Sequence, residues 1–263
     1  MANAMTKLKA VVPQSVWEPA RGLWYKTKNL KYLKYYPAGL AFDLFMRDYR
    51  TEGMTFKIPR EYTTRIHRAR FYLDTHEADE RKLAREFIDP AATVLELGAC
   101  LGVVSCVINR QLRDPARHVA VEANPNLISI LEENRSRNSC KFAIESGMIS
   151  KTSDGTFYID DCLVVSGPVV ESERKIKVPV FSIEDLEKKH GMQFDTLFMD
   201  IQGGECALLD EHPEFLQRVR TIILEFHPHL VGAARVAQTR ERIKSGGLSV
   251  VETRGLTQVW KRV

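Results

Sequence analysis

Six polar residues stand where a chain of alternating strands and helices would end its strands: Glu96, Glu122, Ser146, Asp200, Glu225 and His227. Carboxylates and an imidazole gathered on one edge can accept hydrogen bonds from a ribose, hold a cation, or take a proton from a hydroxyl as it attacks an electrophile. Asp200, Glu205 and His227 are the candidates for that proton transfer. Asp200 ends the apolar run Thr196-Leu-Phe-Met and opens Ile201-Gln-Gly-Gly-Glu205. His227 follows Thr221-Ile-Ile-Leu-Glu-Phe and precedes Pro228. Each also has a plain structural use: a carboxylate there can cap the next turn, and proline can fix a loop histidine. Asp200, Glu225, His227 and His229 are permissible metal ligands by type. Their spacing is not diagnostic, and no metal is expected.

The elements that must position these groups begin with Thr93-Val-Leu-Glu-Leu-Gly-Ala-Cys-Leu-Gly-Val-Val. It reads as a buried strand, a turn held by Gly98 and Gly102, and the start of a helix at Val103. A second strand, His118-Val-Ala-Val-Glu-Ala, ends in Glu122, 20 positions beyond Gly102. This is the layout of a nucleotide-binding βαβ unit, in which the acid accepts ribose hydroxyls. A dinucleotide fingerprint needs a second glycine where Cys100 stands, so that backbone can approach a pyrophosphate. That argues against a dehydrogenase. A nucleoside cofactor without phosphates has no such need, and S-adenosylmethionine fits: adenosine, a sulfonium and an amino-acid tail. The expected cofactor-binding residues are Glu96, Gly98, Ala99, Cys100, Gly102 and Val103 around the first turn. Glu122, Ala123 and Asn124 follow the second strand, and Ser146, Gly147 and Met148 the third. Asp200 completes the set beside the methyl group. Glu96 fixes the turn or meets the ammonium, Glu122 holds the ribose, and residues 146–148 flank the adenine.

Helical spacing of Leu83, Phe87 and Ile88 predicts a helix that stops at Asp89-Pro90. Asn124-Pro125 predicts an N-cap with proline at the first helical position. Ser182 and Asp185 form a capping-box pattern before a helix ending at Gly191. Residues 155–182, with Thr156-Phe-Tyr-Ile, Leu163-Val-Val and Ile176-Lys-Val-Pro-Val, read as an antiparallel insertion joined by Ser166-Gly-Pro. Ser249-Val-Val-Glu and Gln258-Val-Trp-Lys suit an antiparallel hairpin at the sheet's edge. Alternating strands and helices predict an α/β fold, a seven-stranded Rossmann-like sheet with helices on both faces. Residues 1–74 are expected to form a helical extension and residues 75–263 the cofactor-binding domain. The prolines Pro13, Pro19, Pro37 and Pro59 break residues 1–60 into short helices.

The 263 residues carry a net charge of +4, unevenly spread. Residues 1–60 hold 11 Lys/Arg and 4 Asp/Glu, hence +7, which leaves −3 on the remainder. The same segment carries Trp17, Trp24, Tyr25, Tyr32, Tyr35, Tyr36, Phe42, Phe45 and Tyr49. The preferred reading is a cap that packs its aromatics on the catalytic domain and leaves its lysines in water. The alternative is contact with a lipid-linked or anionic acceptor or with the inner membrane face. No nucleic acid is expected: the remainder is not basic, and no Asn/Asp-Pro-Pro-aromatic motif for a flipped base is present. No run approaches the ~20 apolar residues of a membrane span, and Met1 to Ala10 lack a signal peptide's apolar core. Cys100, Cys106, Cys140, Cys162 and Cys206 are scattered without a CxxC, as in a reducing cytoplasm.

At Phe198-Met-Asp-Ile-Gln-Gly-Gly-Glu205 the chain resembles the FkbM family of S-adenosylmethionine-dependent methyltransferases, whose pattern there is Lys-Ile-Asp-Val-Glu-Gly-Ala-Glu. Asp200, Gly203 and Glu205 match; Phe198 stands at the lysine and Gln202 at the first glutamate. Glu96-Leu-Gly-Ala-Cys-Leu-Gly102 resembles acid-x-Gly-Ala-Asn-x-Gly, with Cys100 at the asparagine. Glu122-Ala-Asn-Pro125, Ile183-Glu-Asp-Leu186 and Glu225-Phe-His227 resemble three further family patterns, in the family's order. The resemblance covers roughly residues 75–230. It implies a class I methyltransferase sheet and O-methylation of a hydroxyl, on a sugar, glycan, glycolipid precursor or other small molecule. The alternative is a cofactor-binding regulatory protein without catalysis, suggested by Phe198 and Gln202.

Overall fold

The computed structural model describes residues 33–152, 154–159, 168 and 174–262. Its first elements are α1 (Tyr36–Phe45), β1 (Tyr49–Thr51), β2 (Met54–Phe56), α2 (Arg65–Tyr72) and α3 (Ala78–Phe87). The first half of the main sheet follows as β3 (Val94–Leu97), α4 (Val103–Gln111), β4 (His118–Glu122), α5 (Ile128–Arg137) and β5 (Ala143–Ser146). Short strands β6 (Met148–Ile149), β7 (Thr156–Tyr158), β8 (Lys175–Lys177) and β9 (Val180–Phe181) lead to α6 (Ile183–His190). The chain closes with β10 (Thr196–Met199), α7 (Glu205–Glu211), α8 (Pro213–Leu216), β11 (Thr221–Glu225), α9 (Pro228–Val231), α10 (Ala233–Ser245), β12 (Leu248–Arg254) and β13 (Thr257–Arg262).

Seven strands form one sheet in the order β12-β13-β11-β10-β3-β4-β5. β3, β4, β5, β10 and β11 are mutually parallel where they pair. β13 runs antiparallel to both β11 and β12, the expected edge hairpin. Strand periodicity divides the apolar residues between two cores. Val94, Ala120, Phe198, Ile223 and Val259 face one layer with residues of α3, α4 and α5. Leu95, Leu97, Val121, Met199 and Trp260 face the other with residues of α6, α7, α8 and α10. Helices therefore cover both faces, as a largely parallel sheet requires.

The local signals carry through. Asn124 Oδ1 accepts from Asn126 N, and Pro125 opens a 3-10 turn before α5. Ser182 and Asp185 form both halves of a capping box, and Gly191 ends α6 in the left-handed conformation. β7 and β8 pair antiparallel, as the insertion predicts, whereas β9, within the same stretch, pairs parallel with β6. Leu163-Val-Val, Cys162 and the aromatics Trp17, Trp24, Tyr25 and Tyr32 lie outside the described residues.

One expectation needs correcting. Residues 49–56 are not a short helix but a β-hairpin, with Tyr49 opposite Phe56 and Thr51 opposite Met54. Glu52 and Gly53 both take positive φ, 52° and 71°, the turn that matches strand twist in a two-residue hairpin. Nor does Pro37 break a helix; it lies in the first turn of α1. Phe42, Tyr49, Met54, Phe56 and Phe71 share one apolar cluster with Leu83 and Leu131. Asn134, fully buried on α5, ties this segment to the cofactor turn. Its Oδ1 accepts from Lys57 N at 2.8 Å, and its Nδ2 donates to Leu101 O at 2.9 Å. No helix among the described residues is long and apolar enough to cross a membrane.

Candidate active site

β3 has β4 on one side and β10 on the other, so the strand order reverses at its carboxyl end. A crevice opens there, as it does in open α/β sheets generally. It holds a cavity of about 450 Å³, within the range of small-molecule sites. Of the residues expected from the sequence, Gly98, Cys100, Glu122, Ala123, Gly147, Met148 and Asp200 line it.

The glycine turn works by close approach. Gly98 has φ +86°, and a Cβ there would stand 2.0 Å from the carbonyl oxygen of Asp200. No other residue fits, so the end of β3 lies directly against the end of β10. Gly102 (φ +80°) precedes α4, and a Cβ there would meet Leu131 Cδ1 at 2.7 Å. Its role is helix packing, since it does not line the cavity. Ala99 and Val103 are buried in the core beside it. Asn124 is buried as a cap, and Ser146 pairs in register with Glu122 outside the cavity lining.

Glu122 projects from the end of β4 and is 5% exposed. Its two oxygens accept from Cys100 N and Asn124 N, each at 2.7 Å. Burial pushes its pKa up to about 7 despite these amides. A carboxylate has about four lone-pair sites, so the pair of oxygens can accept further hydrogen bonds. The raised pKa means the folded chain holds a proton between pH 4.5 and about 7 that the unfolded chain releases. Stability contributed by Glu122 therefore falls as pH rises through that window. Relative to a Glu122→Gln variant, whose loss of one of the two backbone hydrogen bonds does not depend on pH, wild type is expected to lose about 1–3 kcal/mol of stability between pH 4.5 and pH 8. Thermal melts across that range check this; a pH-independent difference would contradict it.

Glu96 is elsewhere. It is 1% exposed and does not line the cavity. Ser105 Oγ donates to its Oε1 at 2.9 Å, and His118 Nε2 lies 2.9 Å from its Oε2. Strand parity explains this: Glu96 alternates with Leu95 and Leu97, so it faces the helix layer beneath the crevice.

The three proposed proton-transfer residues converge. Glu205, fully buried at the start of α7, accepts through Oε1 from Ile201 N (3.2 Å), Gly203 N (3.1 Å) and His227 Nδ1 (2.9 Å). The acceptor at Nδ1 fixes that nitrogen as a donor. His227 Nε2 then faces two more carboxylates, Asp200 Oδ1 and Glu225 Oε2, each at 3.5 Å. Burial opposes a charged ring, but the Glu205 hydrogen bond and the charges of Glu205, Asp200 and Glu225 outweigh it. The His227 pKa rises to about 9. Asp200 is pushed well above the usual carboxylate range by burial first and by Glu225 second. Gln202 Nε2 donates to Asp200 Oδ1 at 3.2 Å. Donor atoms of Asp200, Glu205 and His227 lie within 4.8 Å of one another, near enough to share a metal ion. His229 instead stacks its ring edge-on to His227 at 5.7 Å.

The family model for the methyltransferase FkbM domain matches residues 96–244. This chain belongs to the FkbM methyltransferase family. S-adenosylmethionine is accordingly its cofactor. In the crevice a glycine brings two strand ends together, and the buried acid Glu122 lines the cavity. No curated protein matches the chain. Among solved structures, a protein of the NADB-Rossmann superfamily from Streptococcus agalactiae is similar at 13% identity and TM-score 0.45, over 69% of this chain and 67% of that one. A precorrin-6y C5,15-methyltransferase from Geobacter metallireducens GS-15 is similar at 14% identity and TM-score 0.45, over 79% and 93%. An O-methyltransferase from Bacillus cereus in complex with SAH is similar at 15% identity and TM-score 0.41, over 70% and 81%.

The departures from the FkbM pattern have physical readings. Phe198, at the pattern's lysine, is 3% exposed and sits beside Glu96 in the sheet register. A lysine there would meet that acid; here His118 from β4 contacts it instead. Gln202, at the pattern's glutamate, takes φ +52° and donates to Asp200. Sequence reasoning missed Glu77, and it missed a polar wall made by Ser150 and Thr152 before the insertion and by Tyr158 and Lys175 within it. Neither carries a motif; only the cavity reveals them.

Proposed function

We propose that this FkbM-family protein is an O-methyltransferase for a hydroxyl of a sugar, glycan or glycolipid precursor, with Asp200 as general base. The observation that carries the reading is the Asp200 carboxyl on the cavity wall, beside the glycine turn and backed by the buried Glu205–His227 pair. S-adenosylmethionine supplies an electrophilic methyl group when bound. The acceptor hydroxyl loses its proton as it forms the new C–O bond, and Asp200 is placed to take it. Its raised pKa makes it a stronger base than an ordinary aspartate. Gln202 holds Oδ1, which leaves Oδ2 to the acceptor. His227 and Glu205 act as positioning residues: neither lines the cavity, and together they fix the charge behind Asp200. Glu122, Ala123, Gly147 and Met148 would hold the adenosine, and Gly98 and Cys100 the amino-acid end.

The polar wall of Ser150, Thr152, Tyr158 and Lys175 supports a polyhydroxylated acceptor, since it offers hydroxyls, an aromatic ring and an amine. Labelled S-adenosylmethionine incubated with a panel of sugars and lipid-linked glycans tests this. Label in an alkali-stable methyl ether is expected; label only on nitrogen or carbon acceptors would contradict it.

Membrane or lipid-linked contact is part of the same proposal. α1 presents Tyr36, Leu40 and Leu44 one turn apart, with Leu44 66% and Phe45 79% exposed. Exposed Arg47 and Arg50 follow. Partition to phosphatidylglycerol vesicles is expected to fall at least fivefold in a Leu44→Asp, Phe45→Asp variant, roughly as burial of two large apolar side chains implies. Unchanged co-sedimentation would remove this part of the proposal.

A further inference from the structure

We infer that Glu77 holds the ammonium group of the cofactor's amino-acid moiety. The inference rests on S-adenosylmethionine as the cofactor and adds a binding residue outside residues 96–244. An ammonium near the glycine turn needs an ionised acceptor. Glu96, the acid of that turn, is committed to Ser105 and His118 and lies away from the cavity. Glu77 lines the cavity with Gly98, Cys100 and Asp200.

Three features of Glu77 support this. Its valence is open. The buried acids Glu96, Glu122, Glu145 and Glu205 each have two or more partners. The close polar contact of Glu77 is His76 Nε2 at 3.2 Å, and that nitrogen makes no hydrogen bond of proper geometry. Its charge is maintained: burial raises its pKa, but His76, Arg70 and Arg81 together outweigh burial and lower it. Its backbone is unusual. Glu77 takes φ +48° and ψ +34° immediately before α3, a left-handed conformation that side-chain-bearing residues seldom adopt. Such conformations persist where the surroundings demand them, often at ligand clamps. An ionised carboxylate with free lone pairs, held at the amino-acid end of the crevice, is the recognition chemistry of an ammonium.

Calorimetric titration of the full chain with three probes tests this. S-adenosylmethionine and S-adenosylhomocysteine carry the amino acid; 5′-methylthioadenosine lacks it. Glu77→Gln is expected to weaken the first two at least tenfold and the third less than twofold, with Glu77→Asp recovering part of the loss. Equal weakening of all three probes would make Glu77 a purely structural residue and overturn the inference. Unchanged binding of the first two would also overturn it. Wild type that binds none of the three would overturn the cofactor reading itself, a result distinct from either.

Discussion

An Asp200→Asn variant is expected to lose ~10²–10⁴-fold in kcat, the usual worth of a positioned general base, while binding the cofactor within about threefold of wild type. The separation follows from which atoms do what. Gly98 packs on the carbonyl oxygen of Asp200, not on its carboxyl, so the substitution leaves the turn in place. Asparagine keeps the size of the side chain and an oxygen for the Gln202 amide. It removes the proton acceptor, and with it the negative charge that faces His227 Nε2 at 3.5 Å. Wild-type kcat/KM should rise with pH through the raised Asp200 pKa, and that rise should be absent from the variant. Activity in the variant within tenfold of wild type would move the base elsewhere, and a loss of cofactor binding equal to the loss of rate would make Asp200 a cradle residue. A non-catalytic regulatory protein would show no acceptor-dependent turnover in either form.

His227→Ala should have the largest effect on stability. The imidazole is buried and faces Glu205, Asp200 and Glu225. Truncation leaves the fully buried Glu205 without its charged partner, and breaking such a pair costs about 3–5 kcal/mol. For a chain of this size that corresponds to a Tm lowered by roughly 10 °C. The pH dependence has a defined sign. The ring's pKa is raised from 6.5 to about 9 in the folded protein, so its contribution is fully present below 6.5 and is lost as pH rises through 9. The gap between wild type and variant should narrow over that interval in urea unfolding. A loss under 1 kcal/mol at pH 7, or a gap that widens with pH, would contradict the charge assignment.

Much of this site is legible in the chain because strand ends and caps are local. The apolar runs before Glu122 and Asp200, the Asn124-Pro125 cap and the Ser182–Asp185 box each depend on a few adjacent residues, and all appear in the structure. Which face an acid points to is a different matter. Glu96 lies one residue before the end of β3, and that single step of parity turns it to the helix layer, where His118 meets it from 22 positions away. The β1–β2 hairpin did have a local signal: Gly53 between alternating Tyr49, Thr51, Met54 and Phe56. Prolines on either side drew attention to helix breaking instead. Glu77 had none, because its value lies in what packs around it. His76 and Arg81 are near it in sequence, but Arg70 comes from α2, and the cavity that Glu77 lines exists only once the sheet has formed.

Titration of the 263-residue chain with S-adenosylhomocysteine, beside the Glu122→Gln variant, tests the central claim most directly. One-to-one micromolar binding to wild type, weakened tenfold or more in the variant (about 1.4 kcal/mol), is the predicted result. A wild-type protein that binds no S-adenosyl ligand, or a variant that binds it equally well, would contradict the cofactor site described above.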